Sequence, residues 1–225
     1  MVSILIPVYN REAIVAETIY SALNQTYQDI EIVIVDNASN DNTWSIINQL
    51  AKKYPKIKAY RNENNIGPVK NWMRCVEEAK GEYAKILWSD DLIAPNYIKK
   101  TLSLFNEDVG FVYTSTKIFN ISKPKEDQVL YKDNKSGIYL SEKYISSAVF
   151  NKGVPVSPGC AIFRLKDLRK NLWVHVPNKV NSDFSMHAIG NDLLLFLLTA
   201  NTYKYYGYVS DTLSFFRAHD GSISI

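Results

Sequence analysis

The sequence predicts an α/β fold: one domain built on a mostly parallel central sheet with helices on both faces. Three observations predict it. Short β-branched runs alternate with segments whose apolar residues recur at helical spacing. Polar loops follow the runs. The 225 residues are 46% hydrophobic and 22% charged, the balance of a globular chain with one sizeable core. A domain of this length buries on the order of 70% of the surface its unfolded chain would expose, so folding needs neither disulfides nor a structural metal.

Val2-Ser3-Ile4-Leu5-Ile6-Pro7-Val8 and Ile30 to Val35 are continuous β-branched runs ending in turn residues, the mark of strands buried on both faces. Between them Ile14, Val15, Thr18, Ile19, Ala22 and Leu23 form one apolar helical stripe. A helix with Trp44, Ile47, Leu50 and Ala51 follows, then a strand near Ile57 to Tyr60, a helix from Pro68 to Ala79 and a strand from Tyr83 to Trp88. Such alternation makes right-handed crossovers and a parallel sheet. Further on the pattern loosens. Gly110 to Thr114 is strand-like, polar Ser122 to Gly137 is expected as an exposed hairpin or loop, and Leu140 to Phe150 as a helix. A short strand at Cys160 to Phe163, an apolar helix from Met186 to Ala200 and an aromatic, β-branched stretch from Tyr203 to Arg217 complete the chain. No repeat or linker divides it.

Charge and cysteine usage exclude several functions. Lys and Arg number 26 against 23 Asp and Glu, a net charge of +3. That is too weak for a nucleic-acid footprint, though it permits loose peripheral contact with an anionic membrane. Cys75 and Cys160 stand far apart in no metal-binding spacing, which fits a reducing cytoplasm. Met1 leads directly into the first strand without a basic signal region. The longest apolar run, Leu193 to Leu198, falls far short of the ~20 residues that span a bilayer.

Ligands of such sheets bind beyond the carboxyl ends of the strands. Three polar loops lie there: Pro7-Val8-Tyr9-Asn10, Asp36 to Asp41, and Ser89-Asp90-Asp91. Adjacent Asp90 and Asp91 repel unless a cation neutralises them, and hard divalent ions prefer oxygen; a turn cap at Asp91 is the plainer alternative. Asp36 can accept from a base N–H or a ribose hydroxyl, or form an Asx-turn with Asn37. Asn65, Gly67 and Pro68 precede a helix containing Asn71, where glycine allows a left-handed turn or close ligand approach. Asp192 opens an apolar helical stretch, as a cap, a paired ion or a general base. His219 is a surface residue or a ligand. Trp72, Trp88 and Trp173 are expected in the core or at its rim.

Together these loops resemble the family 2 inverting glycosyltransferases, which have the Rossmann-like glycosyltransferase-A fold. The resemblance rests on Ser3 to Asn10, Ile34 to Thr43, Asn65-Ile66-Gly67 and Ser89-Asp90-Asp91, in the family's order and spacing, and is strong through about residue 115. More loosely, it includes Ser157 to Arg164, Gly190-Asn191-Asp192 and Phe216-Arg217-Ala218-His219. It implies a single domain over residues 1–225, with a nucleotide-sugar half (1–115) and an acceptor half (116–225).

Carried over residue by residue, the resemblance implies that Pro7 and Tyr9, within the loop that also holds Val8 and Asn10, and Asp36, at the end of the second strand, contact base and ribose. Asn65, Gly67 and Asn71 complete that pocket. Ser89 and Asp90 reach the ribose or the metal's surroundings. Asp91 holds Mn²⁺ or Mg²⁺, His219 approaches the metal or diphosphate, and Asp192 is the catalytic base. Two departures stand out: Trp88 replaces an acid, and Asn191 replaces the acid before the base, so Asp192 alone ionises there. Asp183 competes for the role. The implied activity is metal-dependent, inverting transfer from a nucleotide sugar, UDP-linked above all, to a glycan or lipid-linked acceptor in bacterial surface-polysaccharide assembly. The implied place is the cytoplasm, peripheral at the inner face of the plasma membrane. A sugar-phosphate nucleotidyltransferase would open with a Gly-rich basic loop, which Pro7-Val8-Tyr9-Asn10-Arg11 is not. A nucleotide-sugar-binding module without turnover is the other alternative.

Overall fold

The computed structural model describes residues 1–120, 123–124, 127–132, 135–150, 152–179, 182–187 and 190–218. The first half alternates as expected: β1 (Val2–Val8), α1 (Val15–Leu23), β2 (Ile30–Asp36), α2 (Thr43–Lys53), β3 (Ile57–Arg61), α3 (Pro68–Glu78) and β4 (Tyr83–Ile86). Every residue of β1 and β2 is buried, which explains runs apolar on both faces. Gly67, at φ +85°, turns the chain into α3, and Pro68 occupies its first turn, where a missing N–H costs nothing.

The second half comprises β5 (Leu92–Ile93), α4 (Tyr97–Leu102), β6 (Val109–Phe119), β7 (Gln128–Leu130), β8 (Gly137–Leu140), α5 (Ser141–Val149), β9 (Ala161–Arg164), α6 (Leu165–Asn171), α7 (Phe184–His187), α8 (Asn191–Thr202) and β10 (Tyr205–Arg217). All strands join one ten-stranded sheet in the order β3-β2-β1-β4-β9-β6-β10-β5, with β7 beside β6 and β8 beside β10. β1 to β4 pair in parallel, and β10 runs parallel to β6. β9 lies antiparallel between β4 and β6, and β5, β7 and β8 are also antiparallel to their neighbours. The sheet is therefore mixed beyond β4.

Three expectations change in detail, and of the two alternatives for 122–137 the hairpin is the one that forms. β4 ends at Ile86, because after Leu87 donates to the Leu5 carbonyl (2.8 Å) the chain turns out of the ladder at Trp88. The described part of 122–137 contains β7, hydrogen-bonded to β6. The helix expected over Met186 to Ala200 is two helices, and Gly190, left-handed at φ +91°, precedes the second. Cys160 belongs to a 3₁₀ turn ahead of β9.

Two apolar layers flank the sheet. On one face Leu5, Phe111 and Phe163 pack with α3, α5, α6 and α8; on the other Ile4, Ile6 and Val112 pack with α1, α2 and α4. The alternation along β1 and β6 follows from the two-residue period of a strand. Phe111 is fully buried, with ring centroids of Tyr144, Phe163, Phe196 and Tyr206 between 5.0 and 5.7 Å away. Phe111→Ala is expected to cost ~3–5 kcal/mol through lost transfer energy and a residual cavity. Urea titration should show a lower midpoint with an unchanged slope; an unchanged midpoint would show that the layer refills.

Candidate functional site

The carboxyl ends of β1 and β4 open into a cavity of about 650 Å³. Pro7, Val8, Tyr9 and Arg11 contribute from the β1 side, and Trp88, Ser89, Asp90 and Asp91 from β4. Asn37, Asn65, Pro68, Asn71 and Trp72 close one side. The opposite side comes from the second half: Tyr131, Ser157, Met186, Asp192, Phe216 and Arg217 among others. The structure thus brings Pro7, Val8, Tyr9, Asn65, Asn71, Ser89, Asp90, Asp91 and Asp192 to one space.

Asp36, Asn10 and Gly67 are not among its wall residues. Asp36 is fully buried, and its carboxylate accepts from the Ser39 hydroxyl, the Ser39 amide (3.2 Å) and Arg61 Nε (3.1 Å). Ser39 Oγ in turn accepts from the Asn10 amide (2.9 Å). Asn10 adopts φ +49°, a left-handed geometry that asparagine tolerates better than most residues. Asp36 and Asn10 therefore shape the loop that carries Tyr9. An amide network supports the adjoining wall. Asn37 Nδ2 donates to Asn65 Oδ1 (2.8 Å), Asn62 Nδ2 to both Asn37 Oδ1 (2.8 Å) and Asn71 Oδ1 (2.9 Å), and Asn71 Nδ2 to the Val35 carbonyl (3.1 Å).

The acidic pair is held differently at each residue. Asp90 lies 3.5 Å from the Arg11 guanidinium. Asp91 Oδ1 accepts from the Arg217 amide at 3.0 Å. It caps no helix, since the next one, α4, has Asn96 at its N-cap. Burial, and after it the Asp90 charge, push the Asp91 carboxyl up to about 8. An ionised Asp91 is thus costly without added positive charge. Lys85, fully buried behind the site, donates to the carbonyls of Ile86 (2.6 Å) and Gly159. Burial brings its ammonium down to about 7.

Asp192 lies in the first turn of α8, where Oδ1 accepts from the Leu193 amide (2.9 Å). Burial raises its carboxyl above the ordinary range, against the lowering effect of that amide. Asp183 is exposed, does not line the cavity, and accepts from Ser185 Oγ (2.5 Å) and the Ser185 amide (3.0 Å), which hold its carboxyl below the usual range. His219 lies outside the described residues.

Several wall residues escape the sequence reading. Trp72 and Trp88, expected in the core or at its rim, form part of the wall with ring centroids 4.6 Å apart, and Trp88 Nε1 donates to Ser157 Oγ (3.1 Å). For Trp88 the available signal is position, two residues beyond the end of β4. Arg217 donates from Nε to the Asp90 carbonyl (2.9 Å) and from an η nitrogen to Glu17 (2.6 Å), while its other η nitrogen is buried without a partner.

The family model "Glycosyl transferase family 2" matches residues 3–172, and the chain belongs to that family. It is 32% identical over 193 residues to a poly(ribitol-phosphate) beta-glucosyltransferase of Bacillus spizizenii, covering 83% of this chain and 29% of that protein. It is 30% identical over 153 residues to the GalNAc(5)-diNAcBac-PP-undecaprenol beta-1,3-glucosyltransferase of Campylobacter jejuni, covering 66% and 48% respectively. The chain spans less than half the length of these curated relatives. In fold it is similar to S. aureus TarS 1-349 in complex with UDP-GlcNAc, at a TM-score of 0.77 and 21% identity over 99% of this chain and 60% of that one. The expected α/β architecture is therefore that of the family.

Because burial raises the Asp192 carboxyl, the folded state holds its proton more tightly than the unfolded state does. The stability this provides is full below the unfolded carboxyl value, ~3.9, and is lost as pH rises through the raised folded value. Asp192→Asn should therefore raise the thermal midpoint at pH 7 and leave it nearly unchanged at pH 3. Scanning calorimetry at both pH values checks this; equal shifts at both would remove the electrostatic explanation.

Proposed function

We propose that this chain catalyses inverting transfer of a sugar from a nucleoside-diphosphate sugar, UDP-linked above all, to a hydroxyl of a glycan or lipid-linked acceptor in bacterial surface-polysaccharide assembly. The observation that carries this is the shared cavity, with paired Asp90 and Asp91 from the β4 end and a separate half-buried acid, Asp192, from α8. The named activities of the two relatives and the UDP-GlcNAc in the TarS complex support it. No helix among the described residues is long and apolar enough to cross a membrane; we place the reaction in the cytoplasm, peripheral to the inner face of the plasma membrane.

The chain's residues divide the work. Tyr9, Asn65 and Asn71 border the space for base and ribose, and Asp36 fixes the neighbouring loop. Asp192 takes the proton from the acceptor hydroxyl as that oxygen bonds to the anomeric carbon. The bond from the anomeric carbon to the diphosphate breaks on the opposite side, and its electron pair leaves with the diphosphate. One in-line displacement inverts the centre without a covalent enzyme intermediate. Arg217 and Arg11 add positive charge near the departing group, where charge develops.

A divalent cation fits the donor set. Asp91 is buried, acquires charge only at a cost, and neighbours a second carboxylate. Mg²⁺ is commonly held by one or two carboxylates together with substrate phosphates, and Asp90 and Asp91 are two such carboxylates at the cavity wall. Asp91, with Asp90 beside it, would hold Mn²⁺ or Mg²⁺, which when bound supplies Lewis-acid stabilisation of the leaving diphosphate.

Asp192→Asn should lower kcat at least ~10³-fold, within the usual range for a general base, while calorimetry shows UDP still bound. In the wild type, kcat should fall on the acid side with an inflection above ~3.9, because the base must be ionised. A chain that binds UDP yet transfers no sugar from any nucleotide donor would be a binding module. Asp91→Asn should abolish Mn²⁺ stimulation of donor binding; unchanged stimulation would remove Asp91 as the ligand.

A further inference from the structure

A second, smaller cavity of about 230 Å³ is lined by Tyr113, Tyr131, Tyr206, Lys143, Ser147 and Lys152 among others. Tyr131 belongs to the walls of both cavities. Its backbone is left-handed, at φ +61°, a conformation that bulky residues rarely adopt. The surrounding strands hold it there: its carbonyl accepts from Ser115 Oγ (3.0 Å) and from the Tyr208 hydroxyl (2.5 Å). Tyr131 is thus a fixed partition, with Asp192 among the wall residues of the larger cavity and the two lysines in the smaller.

The charge of the smaller cavity has one sign. Its lining includes Lys143 and Lys152, both exposed, and, among the described residues, no aspartate or glutamate. Neither lysine makes an ion pair with a described residue; Lys143 lies 5.2 Å from the Tyr139 ring centroid and Lys152 lies 5.7 Å from that of Phe150. The segment carrying Lys152 is tied to α5, since its amide donates to the Ser147 carbonyl (2.8 Å) and the Tyr144 hydroxyl donates to the Pro155 carbonyl (2.6 Å). A lining that carries two cationic side chains and no described acid favours an anion over a cation or a neutral group. Burial keeps the Tyr131 and Tyr206 phenols protonated, so the wall also offers neutral hydroxyl donors. Multiple donors with positive charge match a phosphate, with its several acceptor oxygens.

We propose that this cavity is a phosphate subsite for the acceptor. The sugar or polyol whose hydroxyl meets Asp192 rests against Tyr131, and a phosphate further along the same molecule is taken by Lys143 and Lys152. The inference rests on the transferase reading for its biological use, but the anion site can be tested without turnover.

The test is acetylation footprinting of the full chain by mass spectrometry, with Lys52 and Lys53 as internal controls. The probes are glycerol 3-phosphate, isopentenyl diphosphate and uncharged glycerol. About 10-fold slower modification of Lys143 and Lys152 with a phosphate probe, and none with glycerol, is expected for charge-assisted hydrogen bonds of ordinary strength. Protection by glycerol 3-phosphate alone supports a polyol-phosphate acceptor, by isopentenyl diphosphate alone a lipid diphosphate, and by both equally a site that reads phosphate itself. No protection by either phosphate probe, or equal protection of Lys52 and Lys53, overturns the proposal. In the kinetic arm, K143S/K152S should raise KM for a phosphorylated acceptor about 10-fold while UDP affinity and the KM of an uncharged glycan stay put. An unchanged KM for the phosphorylated acceptor counts against the subsite. Protection without transfer to any acceptor leaves the anion site standing and defeats the transferase reading instead.

Discussion

Arg217 joins the two sides of the larger cavity. Its amide donates to Asp91, its Nε to the Asp90 carbonyl, and an η nitrogen to Glu17 on α1. The contact with Asp91 links residues 126 apart in sequence. The β4 turn leads into β5, which pairs with β10 at Leu92 and Ile93, and this clasp adds a side-chain anchor at the end of that pairing. The parallel pairing of β10 with β6 brings Arg217 there, and the antiparallel insertion of β9 between β4 and β6 sets the width of the gap it closes. Topology thus brings residues of both halves of the chain around one space.

The site is also where the molecule keeps its least comfortable groups. Asp91 and Asp192 are acids that burial discourages from ionising, and Lys85 is a base that burial discourages from holding its proton. The surrounding layers are apolar and close-fitting, so the cost of these groups is borne by packing elsewhere. Perturbed carboxyls in a cleft mark functional positions. They also make a site whose charge state responds to a substrate that carries charge of its own. Asp36 is the contrasting case, an equally buried acid neutralised by Arg61 and the Ser39 donors, and it serves the shape of the loop.

Much of the first half was legible because a doubly buried strand and an amphipathic helix leave distinct periodicities, and because strand ends point to where ligands bind. Asp90 and Asp91 stand out by that rule, and Asn65 by the family resemblance. Asp36 was found too, yet its partners Arg61 and Ser39 were not, since a carboxylate at a strand end looks alike whether it faces a ligand or an arginine. The direction of β9 was invisible, because four apolar residues carry no sign of parallel or antiparallel pairing. Arg217 and Lys85 escape the sequence reading for a related reason: Arg217 contacts Asp91 and Glu17, and Lys85 the Gly159 carbonyl, all far away in sequence. Trp88 is expected in the core or at its rim, although its place just beyond the end of β4 points to the cavity wall.

The central claim is that Asp91 and Asp192 act on opposite sides of one donor molecule. A crystal structure with Mn²⁺ and a non-hydrolysable UDP-sugar analogue tests it most directly. The account predicts an anomalous Mn²⁺ peak between Asp91 and the diphosphate, with the anomeric carbon exposed toward Asp192 on the face away from the leaving oxygen. A donor whose diphosphate lies away from Asp91, or whose anomeric carbon faces away from Asp192, would contradict it.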